Sequence, residues 1–205
     1  MSTSTSAVSN NVEVASGALK NNNFNSVFVD TKEEALQMIK DMIPAGASIM
    51  NGSSTTLHEI GYVEYVKSGE HQWKDLHAEI LTEKDPKRQG DLRRQSVLSD
   101  YYLGSAHAVT ETGQLVFASN SGSQLPHLAF TSKNIILVVS TNKIVPTLED
   151  AFTRIQETII PLEDERMKKA HGYGTSWTKT LVLNKENPAL GRNVTIIFVN
   201  EKLGF

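Results

Sequence analysis

The stretch VFVDTKEEALQMIKDMIPAGASIMNGSSTTLHEIGYVEYV (Val27–Val66) decides the fold class. It opens on a short apolar run, Val27-Phe28-Val29, followed at once by a helix start. Asp30 and Thr31 are both N-cap types, and Glu33 and Glu34 stand three residues after each, as a capping box requires. Ala35, Met38, Ile39, Met42 and Ile43 then recur at i, i+3, i+4, i+7 and i+8, which gives one apolar helix face ending before Pro44. After the Pro44-Ala45-Gly46 turn, Ala47 to Met50 reads as a second strand. Asn51 to Thr56 reads as a loop entering a second helix, with Thr56 and Glu59 as its capping box. Strand, helix, strand, helix in succession predicts an α/β fold with a largely parallel sheet.

The same reading extends in both directions. Residues 1–23, MSTSTSAVSNNVEVASGALKNNN, are rich in Ser, Thr and Asn and lack the basic start and apolar run of a signal peptide, so they read as a flexible tail before a single domain over residues 24–205. Asp85-Pro86 marks a cap and first-turn proline for a helix running to about Leu98. Tyr101–Leu103, His107–Thr110, Leu115–Ala118 and Ile135–Val139 are strand candidates. A helix capped by Thr147 carries Leu148, Ala151, Phe152, Ile155 and Ile159 on one face and is expected to break at Pro161, with a shorter helix beyond it reaching Ala170. Thr180–Leu183 and Val194–Val199 close the chain as strands.

Composition removes whole classes of chemistry. Lys plus Arg number 20 and Asp plus Glu 23, a formal charge of −3, so nothing attracts nucleic acid or an anionic membrane in general. There is no cysteine, which excludes disulfides, thiolate catalysis and cysteine-ligated clusters. The longest apolar run is far short of the roughly 18 residues that span a bilayer. A cytoplasmic location is the simplest expectation.

Four stretches can carry chemistry. Gly52, Ser53, Ser54 and Thr55 lie between a strand and a helix, where unpartnered backbone N–H groups and small side chains suit an anion, although Ser and Thr serve equally as plain caps. Thr110-Glu111-Thr112-Gly113-Gln114-Leu115 places an acid beside a glycine; Glu111 is either a nucleophile or base, or an exposed residue of a hairpin turn. Ser121, Gly122 and Ser123 form a second polar loop. Lys143 follows the strongest strand, at the end where ligands of parallel sheets gather, and supplies a positive charge. His107 lies four residues before Glu111, and the six histidines make no metal-binding pattern. No three-glycine dinucleotide fingerprint, Walker loop or nucleophile elbow is present.

Three longer stretches, DYYLGSAHAVTETGQLVFASNSGSQLP, IILVVSTNKIVPTLEDAFTRI and VTIIFVNEKLGF, resemble the LUD domain family, the group that includes lactate utilization protein C. The resemblance implies a three-layer α/β/α sandwich like that of glucosamine-6-phosphate deaminase, ribose-5-phosphate isomerase and the CoA transferases. It also implies a place in lactate or related carboxylate use, binding a small anionic metabolite, beside an iron–sulfur oxidoreductase partner. Some relatives carry a cysteine cluster before the last strand; here GYGTSWTKTLVLNKENPALGRN has none, so no cofactor is evident and no iron–sulfur cluster is expected in this chain. TETGQL is similar to the Ser-Glu-Asn-Gly motif of CoA transferases, with Thr112 in place of Asn. The alternative that follows is an enzyme: a CoA transferase with Glu111 as nucleophile, CoA then being its cofactor, or a sugar-phosphate isomerase with Glu111 as base.

Overall fold

A computed structural model of the chain describes residues 3–205. Its centre is a six-stranded, wholly parallel sheet in the order β1-β10-β7-β4-β2-β3, formed by β1 (Asn25–Val29), β2 (Ser48–Asn51), β3 (Lys74–Asp75), β4 (Tyr101–Gly104), β7 (Asn134–Ser140) and β10 (Asn193–Val199). The central strands β7 and β10 are covered on both faces, which explains why their sequences are apolar runs and not alternations. Ile136 and Val138 of β7 pack on one side with Ala35 and Ile39 of α2 (Lys32–Met42) and Leu57 of α3 (Thr55–Glu59); Ile135, Leu137 and Val139 face the other. Helices flank both faces, as in a three-layer α/β/α sandwich.

On that second face lies a four-stranded sheet that the sequence reading does not separate from the first. Its order is β8-β5-β6-β9, from β5 (Ala108–Thr110), β6 (Leu115–Ser119), β8 (Ile144–Val145) and β9 (Lys179–Leu183). β5 and β6 form an antiparallel hairpin, and β9 runs antiparallel to β6. Leu115 and Phe117 point into the shared core with β7 and β10, while Val116 and Ala118 point the other way, onto Ala151, Ile155 and Ile159. Alternation within one strand thus builds two layers.

Residues 3–21, read from sequence as part of a flexible tail, are helical. Thr3–Asn21 form helix α1, and Val12, Ala15 and Leu19, spaced on one helical face, are buried against Phe24, Val109, Leu115 and Phe198. Three buried apolar residues at the right spacing are enough to anchor a helix whose sequence is otherwise rich in Ser, Thr and Asn. Met1 and Ser2 lie outside the described residues.

The second departure is at Pro161. α7 (Leu148–Arg154) runs into a wider turn over Ile155–Ile159, with π-type winding, and continues as α8 (Ile160–His171) with Pro161 in its first turn. Proline cannot donate the helical bond and its ring crowds the preceding turn; the π turn relieves both without ending the helix. The caps at Thr31 and Thr147 close as reciprocal boxes with Glu34 and Asp150. α4 (Tyr62–Ser68), α5 (Leu76–Thr82) and α6 (Pro86–Gln95) complete the chain, α6 being capped by Asp85 with Pro86 in first position. Among the described residues no helix is long and apolar enough to cross a membrane.

Candidate functional site

The carboxyl ends of β2, β4 and β7 open into a cleft of about 520 Å³, whose far wall is formed by the end of β6 and by α8. Gly52, Ser53, Ser54 and Thr55 line it from the loop after β2, Ser121 and Ser123 from the loop after β6, and Lys143 from the 3₁₀ turn after β7. Seven of the residues read from sequence therefore share one cavity.

Two do not. Gly122 takes φ +83° and turns away: a Cβ on it would lie 2.7 Å from Lys179 Cδ on β9. Glu111 sits in the β5–β6 hairpin turn, outside the cleft lining. Its N–H donates to Val145 O at 2.9 Å, tying the turn to β8. The turn is closed by Thr110 N–H to Gln114 O at 3.0 Å and Gly113 N–H to Thr110 O at 2.9 Å, and it rests on the end of α1, just beyond which Asn22 Nδ2 donates to Thr112 O at 3.0 Å and Gly113 O at 3.1 Å. The acid beside the glycine is a hairpin residue, and the glycine serves the turn.

Lys143 is 3% exposed. Its Nζ donates to Thr56 Oγ1 at 2.9 Å and to Ser105 Oγ at 3.1 Å. Among the described residues no carboxylate forms an ion pair with it. Burial pushes the amine down to about 8, Arg154 adds to the depression, and Glu59 opposes it. The contrast with Arg166, also on the cleft wall, is sharp. Arg166 is held in two bonds by Glu163, at 2.6 and 2.7 Å, so its charge is already matched.

Thr56 and Glu59 explain why Lys143 is placed so firmly. The sequence pairs them as a capping box, but Ser54 takes the cap, accepting from Leu57 N–H at 3.3 Å. That frees Thr56 for Lys143, while Glu59 Oε2 accepts from Gly204 N–H at 2.6 Å. Gly204, at φ +59°, lies against the site from the C-terminal segment: a Cβ there would collide with Thr56 Oγ1 and come within 3.0 Å of Lys143 Nζ. These contacts span 87 and 145 residues, beyond anything local spacing conveys.

Neutral groups complete the walls. His107 lines the cleft; its Nδ1 accepts from Ala118 N–H at 3.3 Å, which leaves the ring proton of the neutral form on Nε2. Burial, then Lys143 and Arg154, push His107 down to about 4, so it is uncharged at neutral pH. Arg154 Nε donates to His107 O at 3.1 Å and is itself held below its ordinary value by burial. Tyr102 stacks on His127 with ring centroids 4.5 Å apart and presents its hydroxyl to Gly52. Behind the loop, buried Asn51 donates to Gly52 O at 3.2 Å and contacts His77 Nδ1 at 3.1 Å. Tyr102, Ser105 and Gly204 were not singled out from sequence, and Thr56 was read only as a cap; Ser105 and Tyr102 belong to β4 and its carboxyl end, the one signal that pointed to them. Among the described residues no group of three or more His, Cys, Asp or Glu is placed to hold a metal.

No curated protein matches the chain in sequence. Its fold is similar to the crystal structure of a DUF162 family protein from Deinococcus radiodurans, with TM-score 0.56 and 12% identity, covering 94% of this chain and 98% of that one. The LUD domain matches residues 12–181, from inside α1 to the middle of β9. The chain belongs to the LUD domain family.

Proposed function

We propose that this protein binds a small organic anion, a carboxylate of the lactate and pyruvate type, in the cleft at the sheet's carboxyl end, and that it serves lactate or related carboxylate use. Membership of the LUD domain family supports the role. The observation that carries the binding is Lys143: a cation 3% exposed, facing a cavity, with hydroxyl partners only. Burying an unmatched charge is costly, and an anion in the cleft offsets that cost. The small polar side chains of Ser53, Ser54, Thr55, Ser121 and Ser123 supply hydrogen bonds for the remainder of such a ligand.

An accessory role beside an iron–sulfur oxidoreductase fits a chain without cysteine. The transferase and isomerase alternatives both require Glu111 at the ligand, and its position in the hairpin turn weighs against them.

Thermal shift with lactate, pyruvate, sugar phosphates and CoA tests the reading. A ligand at about 100 times its dissociation constant stabilises the fold by about 2.7 kcal/mol. In Lys143→Met the affinity for that ligand is expected to fall about 10- to 150-fold, the worth of one hydrogen bond to a charged group. Equal shifts in the wild type and Lys143→Met would overturn it, as would no shift with any carboxylate.

A further inference from the structure

Lys143 brings an amine to the cleft as well as a charge. Its partners, Thr56 Oγ1 and Ser105 Oγ, accept from an ammonium and can equally donate to a neutral amine, so they hold Nζ in place in either protonation state. A carboxylate partner would keep the nitrogen protonated, and none is paired with it among the described residues. The charges around it are Arg154 on α7, which disfavours its protonation, and Glu59 on α3, which favours it less strongly; His107, entering β5, is neutral. A desolvated lysine next to another cationic group is the arrangement that frees an amine for attack on carbonyls.

We propose that Lys143 captures the carbonyl of a 2-oxo acid as an imine in this cleft. The proposal rests on the anion reading above: in a 2-oxo acid the carbonyl carbon is one bond from the carboxylate, so an acid drawn to this nitrogen brings its electrophile with it. The unprotonated Nζ adds to the carbonyl carbon, and the carbonyl oxygen takes up a proton to give a carbinolamine. The nitrogen lone pair then forms the C=N bond as that oxygen leaves as water with a further proton. A protonated imine remains, its positive charge beside the carboxylate. No oxidant or reductant enters. The hydroxyls of Thr56 and Ser105 touch Nζ and can pass the proton it loses, and His107 carries a proton at Nε2 on the same cleft wall.

The experiment is reductive trapping on the full chain: incubation with pyruvate and cyanoborohydride, then intact mass and peptide mapping. One adduct is expected, on Lys143, rising with pH toward about 8 and absent with lactate, which has no carbonyl. At neutral pH a lysine poised near 8 has roughly 200–300 times the unprotonated fraction of an ordinary one, so Lys143 should label far faster than Lys67, whose side chain is 66% exposed. In Lys143→Arg, which keeps the charge without the nucleophile, the adduct should vanish; if that variant does not fold, the peptide map of the wild type alone decides. Labelling of Lys143 no faster than Lys67 would overturn the proposal. If pyruvate still binds in that case, the anion reading survives; if pyruvate and lactate both fail to bind, that reading falls as well.

Discussion

Replacing Gly113 with alanine separates the structural reading of TETGQL from a catalytic one. Gly113 has φ +80°, and a Cβ added to it would stand 2.6 Å from Ala18 C, 2.8 Å from Ala18 O and 2.7 Å from Asn22 Nδ2. Two of these are backbone atoms of α1, which cannot swing aside as a side chain would. The left-handed conformation costs an L-residue about 1–2 kcal/mol, and forcing extra volume into a close contact costs about 1–3 kcal/mol more. The expected loss is about 2–5 kcal/mol, or a fall in Tm of about 4–20 °C for a domain of this size. Scanning calorimetry measures it, and hydrogen exchange should show α1 amides losing protection first, because α1 is the element pushed away. Glu111→Gln alters neither the turn hydrogen bonds nor the cleft, so its Tm should stay within about 2 °C of the wild type and its ligand affinity should not change. An unchanged Tm in Gly113→Ala, or loss of ligand binding in Glu111→Gln, would refute this reasoning.

Leu19→Ala removes a side chain with no exposure at the α1 interface and should cost about 2–5 kcal/mol in urea unfolding, whereas a residue in a loose tail would cost nothing. Thr31→Ala opens the capping box of α2 and should cost about 0.5–2 kcal/mol by the same measurement. His107 and His127 are both pushed from 6.5 to about 4 by burial. An unfolded chain binds these protons first, so stability should be full above pH 6.5 and fall between 6.5 and 4, by an order of about 3 kcal/mol for each histidine, with the slope reduced in His127→Asn. For Lys143 the folded amine, at about 8, loses its proton before the unfolded one at 10.5. Unliganded stability should therefore rise with pH across that window, while carboxylate affinity, which needs the ammonium, should decline as pH passes 8; isothermal titration at pH 7 and pH 9 checks this.

What could be read from sequence were features written in neighbouring residues. The α2 box, with Thr31 and Glu34 three apart, and the apolar runs of β7 and β10 are of this kind. α1 carries the same kind of signal in Val12, Ala15 and Leu19, but three apolar residues among Ser, Thr and Asn are outweighed by composition, and only the partners Leu115 and Phe198 make the helix worth forming. The break expected at Pro161 assumed α-helical winding, which the π turn at Ile155–Ile159 replaces. At the site, Lys143 and the Gly52–Thr55 loop were legible because strand ends of parallel sheets collect ligands. Thr56 was misread because its local role, capping with Glu59, is displaced by two contacts that only the folded chain creates.

The central claim is that Lys143 is the anchor for an organic anion. A crystal structure with pyruvate or lactate bound tests it most directly. The account requires carboxylate density within hydrogen-bond distance of Lys143 Nζ, between the Gly52–Thr55 and Ser121–Ser123 loops. Density at the Glu111 hairpin instead, or an anion elsewhere in the cleft with Lys143 bonded only to Thr56 and Ser105 as before, would contradict it.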